Sequence, residues 1–309
     1  MQQRFHVPAS VRTAGATALA VVTLAALTAC GGGGGNSTPA TVTTMSVAAT
    51  KYGTPALVTV AGTNLSNLSL NASGCKNVTR LTTAPTASTD TTAYFSCTPS
   101  GAYTSNIVAV TNGTSVFTQP LTVPAPIVTM TVSGGGVNGN IVFALKGNVA
   151  PITVDNFLAY VNSGFYTNTI FHRVVDQKNV LLGPEYFVVQ GGGYGPMTNG
   201  TLPSAPKTPT YANIAMETTG GGNVQWTAAM ARGSDLNSAN SQFFFNVIND
   251  TAAFDTSSGP GYAVFADVSA SAAIITQITQ AACTALVAFN DGSCVPIPNV
   301  VVTSATQTQ

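Results

Sequence analysis

From Thr41 onward the apolar residues come in short runs that alternate with small polar residues, and Gly, Pro and Asn separate the runs. Alternation with a period of two puts the apolar side chains on one face of a half-buried strand. "ALVTVAG", "LSLNASG", "TAYFSC", "SNIVAVTNG" and "SVFTQPLTV" follow this rule before Val123. "IVTMTVS", "NIVFALK", "TIFHRVV", "EYFVVQ", "WTAAMAR", "SQFFFNV", "YAVFADV" and the terminal "NVVVTSATQ" continue the short runs after it. Two stretches carry helical spacing instead. In "APITVDNFLAYVNSGFY", Phe157, Leu158 and Val161 share a face, Thr153 or Asp155 is placed to cap, and Gly164 is placed to stop the helix. "ASAAIITQITQAA", after Ser269, predicts a second helix. The fold class is therefore mainly β.

"VPAPIV", from Val123 to Val128, is a Pro-rich joint that divides the chain. Residues 41–125 have the strand pattern of a small β-sandwich that resembles the immunoglobulin-like type. They contain no titratable cluster, so a spacer or docking role is expected of them. Residues 127–307 are expected to form a closed or nearly closed antiparallel barrel with two helices. Its opening hairpin is expected to turn at Asn138-Gly139 within "GGGVNG".

The N-terminus adds a location. Arg4 and Arg12 precede the apolar run "ATALAVVTLAALTAC", which ends at Cys30 and is shorter than the roughly 20 residues a spanning helix needs. Residues 1–29 read as an export signal. Leu27-Thr28-Ala29-Cys30 resembles the lipobox of bacterial lipoproteins, which implies acylation of Cys30 and a membrane anchor there. Residues 30–40 then supply the lipidated cysteine and a Gly-rich tether. The residue after Cys30 is Gly31 and not Asp, which by the same resemblance implies the outer membrane, facing the periplasm. Four cysteines remain, Cys75, Cys97, Cys283 and Cys294, and they allow three pairings. Nearness in sequence favours Cys75–Cys97 and Cys283–Cys294, and an oxidising envelope compartment would keep such bridges formed.

Several chemistries are excluded. Net charge is zero and only 6% of residues are charged, so there is no basic face for nucleic acid. Once the signal is removed, His172 is the single histidine; it lies inside a strand-like run and reads as a buried structural residue. A catalytic triad or a zinc site needs more than that. "QGGGYGP" lacks the dinucleotide-binding spacing, and its glycines are better suited to a bulge or a close backbone approach. Asp235, Asp250 and Asp255 sit in loop-like text without a strand partner. No cofactor and no metal is implied. One reaction needs none of these groups. Rotation about a prolyl amide breaks no σ bond, and its barrier of about 18–20 kcal/mol comes from amide resonance. An apolar cup for proline and a fixed donor for the twisted amide meet the requirement.

The residues then point to a family. "TVDNFLAYVNSGFYTNTIFHRVV", "FVVQGGGY", "AAMARGSDLNSANSQFFFNV", "FDTSSGPGYAVFADV" and "VVVTSAT" stand in the order seen in cyclophilins, and residues 127–307 resemble a peptidyl-prolyl cis-trans isomerase of the bacterial periplasmic type. The resemblance implies that Arg173 is the catalytic arginine and that Gln190 holds it and binds substrate backbone. It implies a proline pocket of Phe187, Val188, Phe244, Phe254 and Tyr262, with Phe187 as the floor. Ala231, Arg232 and Gly233 match the segment whose backbone pairs with the residue before proline, and Gln242 matches a groove residue. Of Phe243 and Phe245, one is expected to face inward and the other outward. The clients implied are proline-containing polypeptides, and a monomer is expected. There are departures. "VVDQKNVLLGPEY" lengthens the segment between Arg173 and Phe187 and must loop out for the two to meet. Ala253 stands near the position of the family's drug-binding tryptophan, with Trp226 elsewhere, which implies weak cyclosporin binding. Cys283 and Cys294 fall in an insertion without a counterpart. Two other readings remain: a cyclophilin-like binding module or chaperone, and a lipoprotein that docks or adheres through its first domain.

Overall fold

The computed structural model describes residues 38–177, 185–198, 200–203, 205–218, 221–255, 261–285 and 292–309. Residues 1–29, expected to be a signal segment, and Cys30 with the glycines that follow it, expected to be an anchor and tether, lie outside the described residues.

Seven strands precede the Pro-rich joint: β1 (Thr41–Val47), β2 (Ala56–Thr63), β3 (Ser69–Ala72), β4 (Cys75–Arg80), β5 (Thr92–Pro99), β6 (Thr104–Thr111) and β7 (Thr114–Thr122). They form two antiparallel sheets, ordered β1-β2-β5-β4 and β3-β6-β7. The alternation in the sequence is the cause. Along β2, Ala56, Val58 and Val60 are buried while Leu57, Thr59 and Ala61 are half-exposed. Along β6, Ile107 and Ala109 are buried in the same way. These inward rows meet Leu70 and Phe95 in one core, the arrangement of a β-sandwich. Cys75 and Cys97 are bridged, with Cα atoms 5.5 Å apart. They lie on β4 and β5, neighbours in one sheet, so the bridge staples a sheet edge instead of crossing the core.

Residues 39–309 form one compact unit, in which the sandwich is packed against the domain beyond the joint. Tyr52 is the centre of that contact, with 1% of its surface exposed. Its hydroxyl accepts from the Gly101 N–H at 2.9 Å and donates to the Gly147 carbonyl at 3.3 Å. Tyr103 stands edge-on to it and donates to the Leu145 carbonyl at 2.6 Å. A Cβ at Gly147 would come within 2.6 Å of the Tyr52 ring, so glycine is the residue that lets the two surfaces close. Lys76 pairs with Asp155 at 2.6 Å, and the Ser100 hydroxyl donates to the same carboxylate.

Ten further strands complete the chain: β8 (Ile127–Gly134), β9 (Val137–Leu145), β10 (Ile170–Gln177), β11 (Tyr186–Tyr194), β12 (Thr227–Met230), β13 (Phe243–Asn246), β14 (Val264–Asp267), β15 (Cys283–Ala285), β16 (Cys294–Pro296) and β17 (Val301–Gln307). Eight of them close an antiparallel barrel in the order β11-β13-β12-β14-β9-β8-β17-β10, with β10 pairing back onto β11. Closure leaves no free edge around the ring. The Cys283–Cys294 bridge joins β15 to β16, and β16 continues the sheet from β10 through the pair Val174–Cys294. The barrel core is aromatic: Phe143, Phe157, Phe171, Phe243, Phe245 and Phe265 are all fully buried.

Several local expectations need correction. The β8–β9 hairpin turns at Gly135-Gly136, not Asn138-Gly139. Both turn glycines have positive φ (63° and 81°), while Asn138 and Gly139 pair with Ser133 and Val132 in the ladder. Helix α1 (Pro151–Asn162) starts with proline in its first turn, and neither Thr153 nor Asp155 caps it. The cap comes from a distant residue: the Glu217 carboxylate accepts from the Ile152 and Thr153 N–H groups at 3.1 and 2.7 Å. Gly164, with φ 72°, does stop that helix. A short α2 (Thr251–Phe254) joins the two expected helices, the second of which is α3 (Ala272–Gln280). Phe243 and Phe245 both face the core, because residues two apart on a strand share a face, and Phe244 alone points the other way.

Candidate active site

The length of chain between Arg173 and Phe187 leaves the pairing of the barrel wall intact. β10 and β11 pair directly through Arg173–Gln190, Val174–Val189, Val175–Val188, Asp176–Phe187 and Gln177–Tyr186. Residues 175–177 and 186 of the insertion are thus strand residues, and 178–184 lie outside the described residues. Ahead of Arg173 the register slips: Phe171 faces Gly191 and Arg173 faces Gln190, which leaves His172 as the extra residue of a bulge. In a regular strand Phe171 and Arg173, two residues apart, would share a face; the extra residue turns Arg173 to the face opposite Phe171, which stays in the barrel core, and His172 is buried. The glycines serve close approach, as expected of them: a Cβ on Gly192 would meet the Ser241 carbonyl at 2.7 Å, and one on Gly193 the Gln242 side chain at 2.5 Å.

These strands frame a cavity of about 210 Å³, lined by Arg173, Tyr186, Val188, Gln190, Ala231, Arg232, Phe244, Phe254 and Tyr262. Its base is a separate apolar cluster of Val175, Val188, Ala229, Phe244 and Val264. Phe244, Phe254 and Tyr262 meet edge-on with centroids 5.2–5.5 Å apart, a favoured ring geometry. Three polar side chains run along the rim in a chain. Arg173 Nη1 donates to Gln190 Oε1 at 3.1 Å, and Gln190 Nε2 donates to Gln242 Oε1 at 3.1 Å. Gln190 is thereby oriented from both ends, and the guanidinium is held at the mouth of the cup. Gly233 and Gln242 line an adjoining polar cavity with Gln190, Ala231 and Arg232.

Of the residues expected at the site, Phe187 is displaced. It is half-buried against the barrel core, on the opposite face of β11 from Val188 and Gln190. Tyr186 takes the wall instead, its ring 4.9 Å from that of Phe254. The alternation back from Gln190 through Val188 to Tyr186 was the available signal. Ala253 and Trp226 do not line the cavity.

Asp250 lies behind the site and has a strand partner after all. It is fully buried, and its Oδ1 accepts from the Phe187 N–H at 3.0 Å. The Phe254 N–H bonds to the Asp250 carbonyl at 2.9 Å, so this residue ties the start of β11 to α2 and its pocket ring. Asn223, 1% exposed, holds the other end through the Phe254 carbonyl and the Asp255 carboxylate. Burial pushes the Asp250 carboxyl from 3.8 up to about 7, against the Phe187 N–H, which pulls it down. His172 is fully buried against Tyr194, as a structural histidine would be. Burial pushes its pKa from 6.5 down to about 4, with the Arg173 charge acting in the same direction.

The two shifts act oppositely on stability. Native Asp250 keeps a proton that the unfolded chain releases between pH 3.8 and about 7, so this group favours folding at low pH and loses that contribution as pH rises. Native His172 refuses a proton that the unfolded chain binds below pH 6.5, so its contribution grows as pH rises from about 4 to 6.5. Asp250→Asn keeps an acceptor for the Phe187 N–H and leaves the His172 slope uncompensated. Relative to wild type, its melting temperature should climb as pH goes from 4 to 6.5. Parallel melting curves for the two proteins across that range would refute the assignment.

Known proteins are similar to the part of the chain that forms the barrel. The model of the family described as "Cyclophilin type peptidyl-prolyl cis-trans isomerase/CLD" matches residues 127–307. The chain belongs to the cyclophilin family of peptidyl-prolyl cis-trans isomerases. Peptidyl-prolyl cis-trans isomerase cyp18 of Streptomyces antibioticus is 40% identical over 144 residues, which are 45% of this chain and 77% of the relative. Peptidyl-prolyl cis-trans isomerase B of Escherichia coli is 43% identical over 136 residues, 42% of this chain and 73% of the relative. Peptidyl-prolyl cis-trans isomerase A of Dickeya dadantii is 39% identical over 142 residues, 46% and 67% of the two chains. A solved Cryptosporidium parvum cyclophilin type isomerase superposes on 59% of this chain and 99% of its own at 19% identity and a TM-score of 0.41, too loosely to carry residue-level inference. The cyclophilin barrel and the two expected disulfides are thus in place, and the chain is a peptidyl-prolyl isomerase.

Proposed function

We propose that this cyclophilin accelerates rotation about X–Pro bonds of exported polypeptides from a lipid anchor at Cys30, in the bacterial outer membrane facing the periplasm. The observation that carries the catalytic part is the Arg173–Gln190–Gln242 chain of hydrogen bonds on the rim of an apolar cup. The proline ring enters the cup against Val188, Phe244, Phe254 and Tyr262. Twisting the amide ends its resonance, so the nitrogen becomes pyramidal and gains a lone pair. A guanidinium N–H of Arg173 donates to the reacting amide most strongly in that state, which lowers the barrier instead of deepening the ground state. Gln190 fixes the guanidinium and offers a side-chain amide to the client backbone. No bond is made or broken and no proton is transferred, which agrees with a rim whose described residues offer amides and a guanidinium and no acid/base pair.

The binding-module reading requires the insertion to separate Arg173 from the pocket. The regular β10–β11 pairing from Arg173 to Gln177 supports the enzyme reading instead. Exchange NMR of a short Xaa-Pro peptide with the mature chain, made without lipid, tests the proposal: cis-trans exchange far above the uncatalysed tens to hundreds of seconds is expected. No acceleration by a folded sample would return the binding-module reading. The anchor is tested separately by fractionating cells that express wild type or Cys30→Ala. Wild type should partition with the outer membrane and the variant should not.

A further inference from the structure

Arg232 stands between two cavities. It lines the proline cup and also a neighbouring polar cavity of about 190 Å³ that reaches Ser238 and Asn240. Its guanidinium is tied down on three sides. Nε and Nη2 donate to the Gly261 carbonyl at 3.1 and 2.9 Å, and Nη1 donates to the Gly233 carbonyl at 2.9 Å. The charged plane lies over the Tyr262 ring, 4.7 Å from its centroid, well within the range of a cation–π contact. Tyr262 is the ring that closes the cup, edge-on to both Phe244 and Phe254. Next to it in the chain, the Ala263 carbonyl accepts from the Met230 N–H at 3.0 Å, and the Gly261 carbonyl is held by Arg232. Tyr262 follows Gly261, whose φ of 75° belongs to a permissive glycine, and it precedes the first residue of β14 by two positions.

We infer that the Arg232 side chain is a positioning residue that clamps the 261–262 segment and sets Tyr262 as the closing wall of the proline cup. This rests on the reading of the cup as the prolyl site, and it adds to the backbone role that the family resemblance implies for Arg232. The fork geometry explains why the residue is arginine. Two parallel N–H groups grip one carbonyl while the flat face of the same group covers the ring, and a lysine ammonium cannot do both. The clamp acts on the wall that holds the proline ring in both isomers. Its loss therefore weakens binding of ground state and transition state alike, which appears in affinity and not in the rate of the bound peptide. Arg173 acts in the opposite way.

The test measures, for one Xaa-Pro peptide, both the dissociation constant by NMR titration and the cis-trans exchange rate of the bound peptide. Arg232→Met should weaken binding about tenfold while the bound peptide exchanges at the wild-type rate. Tyr262→Leu should weaken it at least as much. The double variant should bind no worse than Tyr262→Leu alone, because a clamp has no effect once its ring is gone. Arg232→Lys, with a cation but no fork, should fall between wild type and Arg232→Met. Wild-type affinity in Arg232→Met, an additive double variant, or a loss of bound-state exchange in place of affinity would each overturn the inference. If thermal melting shows Arg232→Met to be unfolded, Arg232→Lys decides: weakened binding supports the clamp and unchanged binding refutes it. An inactive wild type would overturn the prolyl reading itself, whereas an active wild type with an unaffected Arg232→Met overturns the clamp alone.

Discussion

Replacing Arg173 with alanine is expected to slow peptide exchange by about 10²–10³-fold, the usual cost of removing one preorganised donor from a reacting centre. The melting temperature should stay where it is. Arg173 is half-buried at the rim, and the strand beneath it is held by its ladder to Gln190 and by the neighbouring apolar pairs Val174–Val189 and Val175–Val188. Arg173→Lys is the sharper companion. It keeps the charge but loses the planar fork that bonds Gln190 while still presenting a donor to the amide. Its rate should lie between those of wild type and alanine. Peptide affinity should change little in either variant, because the apolar cup is untouched. Exchange NMR across a peptide titration up to saturation, with a melting curve on the same samples, checks all four statements. A fully active Arg173→Ala would remove the arginine from the mechanism.

Tyr52→Ala is expected to destabilise the protein by about 3–5 kcal/mol, the range for truncating a large buried aromatic. The ring is almost wholly enclosed, and its removal also unmakes the hydroxyl bonds to Gly101 and Gly147. The residue lies in the first domain and the loss falls on its contact with the second. Denaturant unfolding would read the change. A loss below about 1 kcal/mol would show that the domains are independent. Prolyl exchange in the folded fraction should survive, since no residue of this contact lines the proline cup. The same contact bears on the role of residues 41–125. In it a tyrosine packs against a glycine of the neighbouring domain, and Lys76 and Ser100 share the Asp155 carboxylate, so a spacer or docking role would be exercised from a domain fixed to the barrel.

Much of the molecule is legible in local pattern. Period-two alternation announces the strands, Gly164 the end of α1, and the short sequence separations of the cysteines their pairing. The place of Arg173, Gln190, Val188 and Phe244 around one cup is legible in the motifs by which the chain resembles its family. The places where local pattern misleads share a cause. Alternation says which residues share a face, and it does not say which face meets the cavity. The Tyr186–Phe187 pair reads the wrong way round for that reason, although the residues differ by one position. The expectation that Phe243 and Phe245 part company fails because it sets the period aside.

The β character of the chain, the family of its second part and the residue types available for chemistry all follow from composition and from spacings of a few residues. The aim and support of the site do not. The bulge at His172 turns Arg173 toward the cup, Glu217 caps a helix 64 and 65 residues away in sequence, Asp250 ties α2 to a strand, and Tyr52 fastens one domain to the other. Each is a contact between segments far apart in the chain. Such contacts exist only after the barrel closes, because a hydrogen bond or a packed ring is specified by positions in space, and local periodicity carries no record of which distant segment will arrive there.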